Sequence, residues 1–285
     1  MITTDQERAF YDDCYTRFLS LPDHALRTDR SVLEAILNNP EHPFYERRIL
    51  YRGAIRALES EPLAGKRVLD YGCGPADFGI WMATEGAEVT LLDLSPVAIE
   101  VGLRRAKACT VNVRGVAADA TRLDMFRDGE FDLVFACAAL HHTLKYPGAI
   151  KELARIMRPD ARLVLCETWG RNPLLNRARK IRAALARQSD DQGEDVILSP
   201  SELCALAVYF GDLSVEAYNL LAMGKRLLRG KFARRWARSL LRGLESADRT
   251  VLAVAPRLRN WCGEAVITGR RRSGCATIPG DTVVA

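Results

Sequence analysis

Residues 67–79 read RVLDYGCGPADFG. A short apolar run ends on Asp70 and breaks into a turn built on Gly72, Cys73 and Gly74. Glycines at such a turn let the backbone reverse sharply and approach a ligand closely. A dinucleotide fingerprint counted from Gly72 fails, because Asp77 stands where the third glycine belongs. By itself the turn is weak evidence, since several cofactor-binding folds use one.

The stretch on either side strengthens it. Strand-like runs follow at 88–93 (EVTLLD), 111–119 (VNVRGVAAD), 131–137 (FDLVFAC) and 161–167 (ARLVLCE). Several are apolar without alternation, as expected of strands buried on both faces of a parallel sheet. Helical segments separate them. In SPVAIEVGLRRAKA, Ser95 is placed to cap and Pro96 fits the first turn. PGAIKELARIM, 147–157, is another. Beyond Glu167 the spacing predicts helices over 172–187, 199–210 and 224–253, and strands over 213–221 and 261–269. Seven strands result. The β-α-β-α-β rhythm predicts a doubly wound, mostly parallel α/β sheet.

Carboxylates recur where these strands end. Asp70 closes the first. Asp93, followed by Leu94, closes the second and can accept both hydroxyls of a ribose. Asp119, followed by Ala120, closes the third and can accept from an adenine amino group. The fourth strand runs into ACAALHH. Each element sits at a strand's carboxyl end, where open α/β sheets bind ligands.

This ordered set resembles the class I S-adenosylmethionine-dependent methyltransferases, over about residues 66–167 with the closing strand EAVITGR added. The resemblance implies a Rossmann-like sheet with S-adenosylmethionine as cofactor. Asp70, Gly72, Cys73 and Gly74 would hold the methionine part, Asp93 and Leu94 the ribose, and Asp119 and Ala120 the adenine. Ala76 stands where the family often has a third glycine, and Asp160-Ala161 where Gly-Gly is common.

His141 and His142 follow the fourth strand, where an acceptor would meet the methyl group. Imidazole titrates near neutral pH and suits a general base. His142 is the favoured one, with packing as the plainer role. The chain also resembles quinone-ring O-methyltransferases, some of which carry Glu-x-x-Glu-His here to bind a divalent metal, but Ala138 and His141 occupy the two glutamate positions. No metal site is expected. The segment Cys137-Ala138-Ala139-Leu140 also lacks the Asn/Asp-Pro-Pro-aromatic motif of enzymes that methylate nucleic-acid bases.

The net charge of +5 is uneven. Residues 1–169 carry 21 basic and 25 acidic side chains, and 170–275 carry 20 and 10. Within the basic part, KRLLRGKFARRWARSLLRGLESADR puts Leu228, Phe232, Trp236 and Leu240 on one stripe. A cap helix with a solvated face is the plain reading. An anionic acceptor pocket or contact with an anionic membrane surface are the functional ones. Tyr11, Tyr15, Phe44 and Tyr45 are candidate lid aromatics.

The expected organisation is an N-terminal helical cap (1–60), a cofactor-binding core (61–170), a completing segment with a basic helical lid (171–272) and a tail (273–285). The eight cysteines form no CxxC pair, and the start of the chain does not read as a signal peptide. A cytoplasmic enzyme acting on a small-molecule acceptor, most readily by O-methylation in a biosynthetic pathway, is the expectation. The alternatives are an RNA or protein methyltransferase using the basic face, and a binding protein without catalysis.

Overall fold

The runs that read as unbroken apolar segments lie in the middle of one sheet. In the computed structural model, which describes residues 3–144, 146, 148–185 and 197–273, seven strands form it. They are β1 (Arg67–Tyr71), β2 (Glu88–Asp93), β3 (Val113–Ala117), β4 (Phe131–Cys137), β5 (Met157–Thr168), β6 (Phe210–Tyr218) and β7 (Glu264–Arg271). Their order is β3-β2-β1-β4-β5-β7-β6. β1 to β5 pair in parallel, and β7 runs antiparallel between β5 and β6. The doubly wound, mostly parallel seven-stranded architecture is therefore present. The strand order reverses beside β1, so the chain leaves the paired strands β1 and β4 toward opposite halves of the sheet and opens a crevice at their carboxyl ends.

Central strands are buried on both faces. Val68 and Phe135 pack into one apolar layer, with the helices Arg30–Asn38, Arg48–Glu59 and Asp77–Thr84. Leu69 and Val134 pack into the other, with Leu153 of the helix Ala149–Ile156 and Leu206 of the helix Pro200–Tyr209. Adjacent strand residues point to opposite faces, so two layers need two apolar residues in succession.

Where sequence and structure differ, the backbone shows why. β6 begins at Phe210, three residues before the expected start, with a register shift between Gly211 and Ser214 and a left-handed Asp212. That bulge interrupts the alternation that would have marked the strand. β5 begins at Met157, and its early turn puts Asp160 at φ 66°. Glycine adopts this conformation without strain, and here Arg270 holds the aspartate side chain at 3.3 Å. The last strand starts at Glu264, after a short 3-10 turn over Pro256–Trp261. The expected tail lies outside the described residues, apart from Ser273.

Ser95 caps the helix Pro96–Ala108, its Oγ accepting from the Ala98 N–H at 3.1 Å. Asp77, in place of a glycine, is buried and pairs with Arg105 of that helix at 3.1 Å. A buried carboxylate ties the N-terminal and C-terminal segments to the sheet. Glu264 accepts from Lys225 Nζ at 2.8 Å and from Arg47 Nε at 3.2 Å. Burial pushes its carboxyl up, but Lys225 and then Arg47 override this and hold it at about 2. Removing one partner of such a pair leaves an uncompensated buried charge.

Candidate functional site

The crevice at the carboxyl ends of β1 to β4 is a cleft of about 240 Å³. Its floor is the turn after β1. Gly72 lies at φ 68° and Gly74 at φ 51°, in the left-handed region where side chains are strained. A Cβ on Gly72 would sit 2.3 Å from the Cβ of Ala139. Glycine there lets the loop after β4 close on the turn after β1. Ala76 shares the left-handed conformation at φ 61° despite its side chain. Ala138, which starts the turn to the histidines, does so at φ 53°.

Asp93 lines the cleft and organises it. Its Oδ2 accepts the Gly74 N–H at 2.8 Å, and its Oδ1 accepts the Ser95 N–H at 2.9 Å. Burial raises its pKa. An ionised carboxylate has about four acceptor sites, so two backbone bonds leave capacity for a ligand. Leu94 lies beside it. On the β3 side Asp119 accepts the Thr121 N–H at 2.9 Å, and Asp119 and Ala120 both line the cleft. The Tyr71 hydroxyl lies 2.9 Å from the Ala120 carbonyl oxygen and 2.8 Å from Thr143 Oγ1, joining this edge to the histidine turn.

Cys73, Gly74 and Asp70 support the cleft without lining it. Asp70 is buried behind the turn, against the helix Asp77–Thr84. A Cβ on Gly79 would come within 2.5 Å of its Oδ2, which explains that glycine. Among the described residues Asp70 Oδ2 makes no hydrogen bond of ordinary geometry, and the Gly79 N–H only partly offsets the burial of the carboxyl. Burial first, and the nearby Asp93 charge second, push its pKa to about 8. Two neighbouring carboxylates without a cation between them would be relieved by a positively charged ligand group.

The two histidines separate. His142 lines the cleft. His141 is buried behind it, with Nδ1 2.7 Å from Glu167 Oε2. Glu167 also accepts the Leu140 N–H at 3.1 Å, which fixes the turn. Burial would raise the Glu167 carboxyl, but the His141 ring holds it below its usual range.

The remaining wall comes from the helix Thr4–Leu19, capped by Thr3 with Gln6 in a capping box. Tyr11 and Tyr15 of this helix line the cleft and stack with centroids 6.0 Å apart. The Tyr15 hydroxyl lies against Gly74, and burial raises both phenols. Glu7 also lines the cleft, with Oε1 3.2 Å from His142 Nδ1, and the Tyr11 hydroxyl lies 3.3 Å from His142 Nε2. Sequence reading identified the two tyrosines but not Glu7. The signal was the spacing of Glu7 and Tyr11, which puts them on one helical face.

Other lid candidates point elsewhere. Phe44 packs on Tyr51 and Phe78, and Tyr45 on Phe232. None of residues 224–253 lines the cleft. The helix Arg235–Val254 buries Ala237 and Leu241 in a small separate cluster and exposes Trp236 and Leu240. Among the described residues no group of three or more His, Cys, Asp or Glu could hold a metal, and no helix is long and apolar enough to cross a membrane.

Comparison with known proteins places this geometry. Residues 68–160 match a family described as a methyltransferase domain. A demethylmenaquinone methyltransferase of Clavibacter sepedonicus is 38% identical over 106 residues, 37% of this chain and 42% of that protein. One from Thermus thermophilus is 36% identical over 113 residues, 39% of this chain and 50% of that protein. The chain thus spans about half the length, or less, of the curated relatives it matches. Among solved structures, a Haemonchus contortus phosphoethanolamine N-methyltransferase 2 with S-adenosyl-L-methionine superimposes with TM-score 0.58 at 18% identity, covering 96% of this chain and 61% of that one. The cyclase SpnF superimposes with TM-score 0.57 at 19% identity, covering 95% of this chain and 97% of that one. A cyclase beside a methyltransferase shows that the fold is common ground and the reaction belongs to the site.

Proposed function

We propose that this chain, whose residues 68–160 match a methyltransferase-domain family, uses S-adenosylmethionine to methylate a hydroxyl group of a small molecule. The observation that carries the reading is one cleft lined by Gly72, Asp93, Asp119 and His142 at four successive strand ends. The residues fit the cofactor. Asp93 keeps free lone pairs for the ribose hydroxyls, Asp119 and Ala120 edge the adenine side, and Asp70 Oδ2, which makes no hydrogen bond of ordinary geometry among the described residues, lies behind the turn that would meet the ammonium.

Bound there, the cofactor supplies an electrophilic methyl group on a sulfonium. The chain's work is positioning and proton handling. Gly72 and Ala139 form the floor of the cleft, and Tyr11 and Tyr15 form a wall. His142 Nε2 faces the space where an acceptor hydroxyl would lie. An acceptor hydroxyl placed there would pass its proton to Nε2 as its oxygen took the methyl group. The two demethylmenaquinone methyltransferases support a biosynthetic small molecule as acceptor.

Calorimetry tests the cofactor assignment. S-adenosylhomocysteine is expected to bind at micromolar affinity or better. Asp93→Ala should weaken it by roughly 1.5–3 kcal/mol, as for hydrogen bonds to charged groups. Heat with NAD and none with S-adenosylhomocysteine would overturn the reading.

The basic C-terminal segment supports a second element of the proposal, contact with an anionic surface. Arg234, Arg235 and Arg242 are exposed, as are Trp236 and Leu240, whereas Arg238 is tied to the carbonyl oxygens of Phe232 and Ala233. Changing the three exposed arginines to Gln should weaken sedimentation with anionic liposomes at low salt and leave cofactor affinity unchanged. Equal sedimentation of variant and parent would make this face ordinary surface.

A further inference from the structure

The N-terminal helix does more than cover the cleft. Its side chains reach both nitrogens of the His142 ring. Glu7 Oε1 lies 3.2 Å from Nδ1, and the hydroxyl of Tyr11, one turn later, lies 3.3 Å from Nε2. An ionised carboxylate only accepts hydrogen bonds, so its partner Nδ1 must carry a proton. In the neutral ring that leaves Nε2 as the lone-pair nitrogen. The phenol is held neutral by burial and remains a donor to it. The place where Tyr11 donates is the place from which an acceptor hydroxyl would lose its proton.

We propose that Glu7 is the positioning residue that sets the His142 tautomer, and that Tyr11 holds the base lone pair until an acceptor hydroxyl replaces it. This rests on the reading of His142 as the base. The capping box formed by Thr3 and Gln6 pins the turn from which Glu7 projects. His142 is otherwise faced by the His141 ring, with centroids 4.2 Å apart, and by Glu167, whose carboxylate is engaged by His141. Among the described residues Glu7 is the carboxylate that pairs with Nδ1, and it comes from a segment 135 residues away in sequence. The base is thus assembled from two segments, the turn after β4 and the N-terminal helix.

Ring nitrogen-15 chemical shifts of His142 test this in the full chain saturated with S-adenosylhomocysteine, at a pH where the ring is neutral. They report which nitrogen bears the proton, independently of turnover. The parent should show the proton mainly on Nδ1. Glu7→Ala should shift the proton mainly to Nε2, whereas Glu7→Gln, whose side-chain carbonyl still accepts from Nδ1, should retain the parent form. Tyr11→Phe should also retain it, because Glu7 remains. A parent ring protonated on Nε2, or an unchanged ring in Glu7→Ala, would overturn the proposal. A flip in Tyr11→Phe would assign the tautomer to Tyr11 instead. S-adenosylhomocysteine affinity should stay within about twofold in all three variants. Loss of that binding in the parent would sink the cofactor reading, and an unaltered rate in His142→Ala would sink the base. Neither result changes what the shifts say about Glu7.

Discussion

His142→Ala should lower kcat by roughly 10²–10⁴-fold, the usual contribution of a positioned general base, and leave S-adenosylhomocysteine affinity close to the parent's. The separation follows from where the ring sits. It lines the cleft opposite the carboxylates that would hold the nucleoside, and its ring hydrogen bonds run to Glu7 and Tyr11 of the N-terminal helix. The neighbouring histidine provides the contrast. His141→Ala would strand Glu167 in the interior without its ring partner, and breaking a buried pair costs about 3–5 kcal/mol. Its effect should be a lower melting temperature. Steady-state kinetics and thermal melts of both variants distinguish the roles. If His142→Ala kept the parent rate and lost stability, the ring would be packing and methyl transfer would proceed by positioning alone.

Much of this site was legible from residues because its parts are local to strand ends. The turn after β1, Asp93 after β2 and Asp119 after β3 each follow an apolar run and precede a helix or turn, so short-range pattern places them. The parallel, doubly wound core follows from the same rhythm, whereas the antiparallel insertion of β7 between β5 and β6 does not. What remained hidden depends on contacts distant in sequence. Glu7 shares a helical face with Tyr11, but that spacing does not say that the face meets His142, since the pairing exists only once the N-terminal helix lines the cleft. The strand at Phe210–Tyr218 was displaced by a bulge, because a left-handed Asp212 breaks a period of two. The basic helix illustrates the opposite limit. Its amphipathic stripe was visible, but a stripe says which face is buried and not what lies beneath it. Here Ala237 and Leu241 pack with Tyr45 and Phe232 rather than over the cleft.

Asp70→Asn should make the ligand-free protein more stable at pH 8 and a poorer binder of S-adenosylhomocysteine. The Asp70 carboxyl is pushed up to about 8 by burial and by the Asp93 charge, against about 3.9 in an unfolded chain. A folded-state pKa above the unfolded one means that the native protein holds the proton more tightly. The associated stability is full below about pH 4 and is lost as pH rises toward 8. At pH 7 the loss is roughly 4 kcal/mol, from about 1.36 kcal/mol per pH unit over that interval. Asparagine does not ionise and avoids it. Its amide would meet the site where, among the described residues, Oδ2 makes no hydrogen bond of ordinary geometry, which costs about 1–3 kcal/mol. A net gain of about 1–3 kcal/mol at neutral pH, vanishing or reversing near pH 5, should appear in denaturant titrations across that range. The same substitution removes a negative charge behind the turn that would meet the ligand's ammonium, and affinity should fall about tenfold, equivalent to about 1.4 kcal/mol. An ammonium there would also favour the ionised form of Asp70, so the parent should release protons on binding near pH 7, visible as a dependence of the binding heat on buffer. The variant should not release them. A parent and variant with parallel stability profiles would mean that Asp70 is ionised throughout, and an unchanged affinity would leave it a role in packing against Gly79 alone. A carboxyl that weakens the free protein fits a binding role, because the penalty is relieved only in the complex.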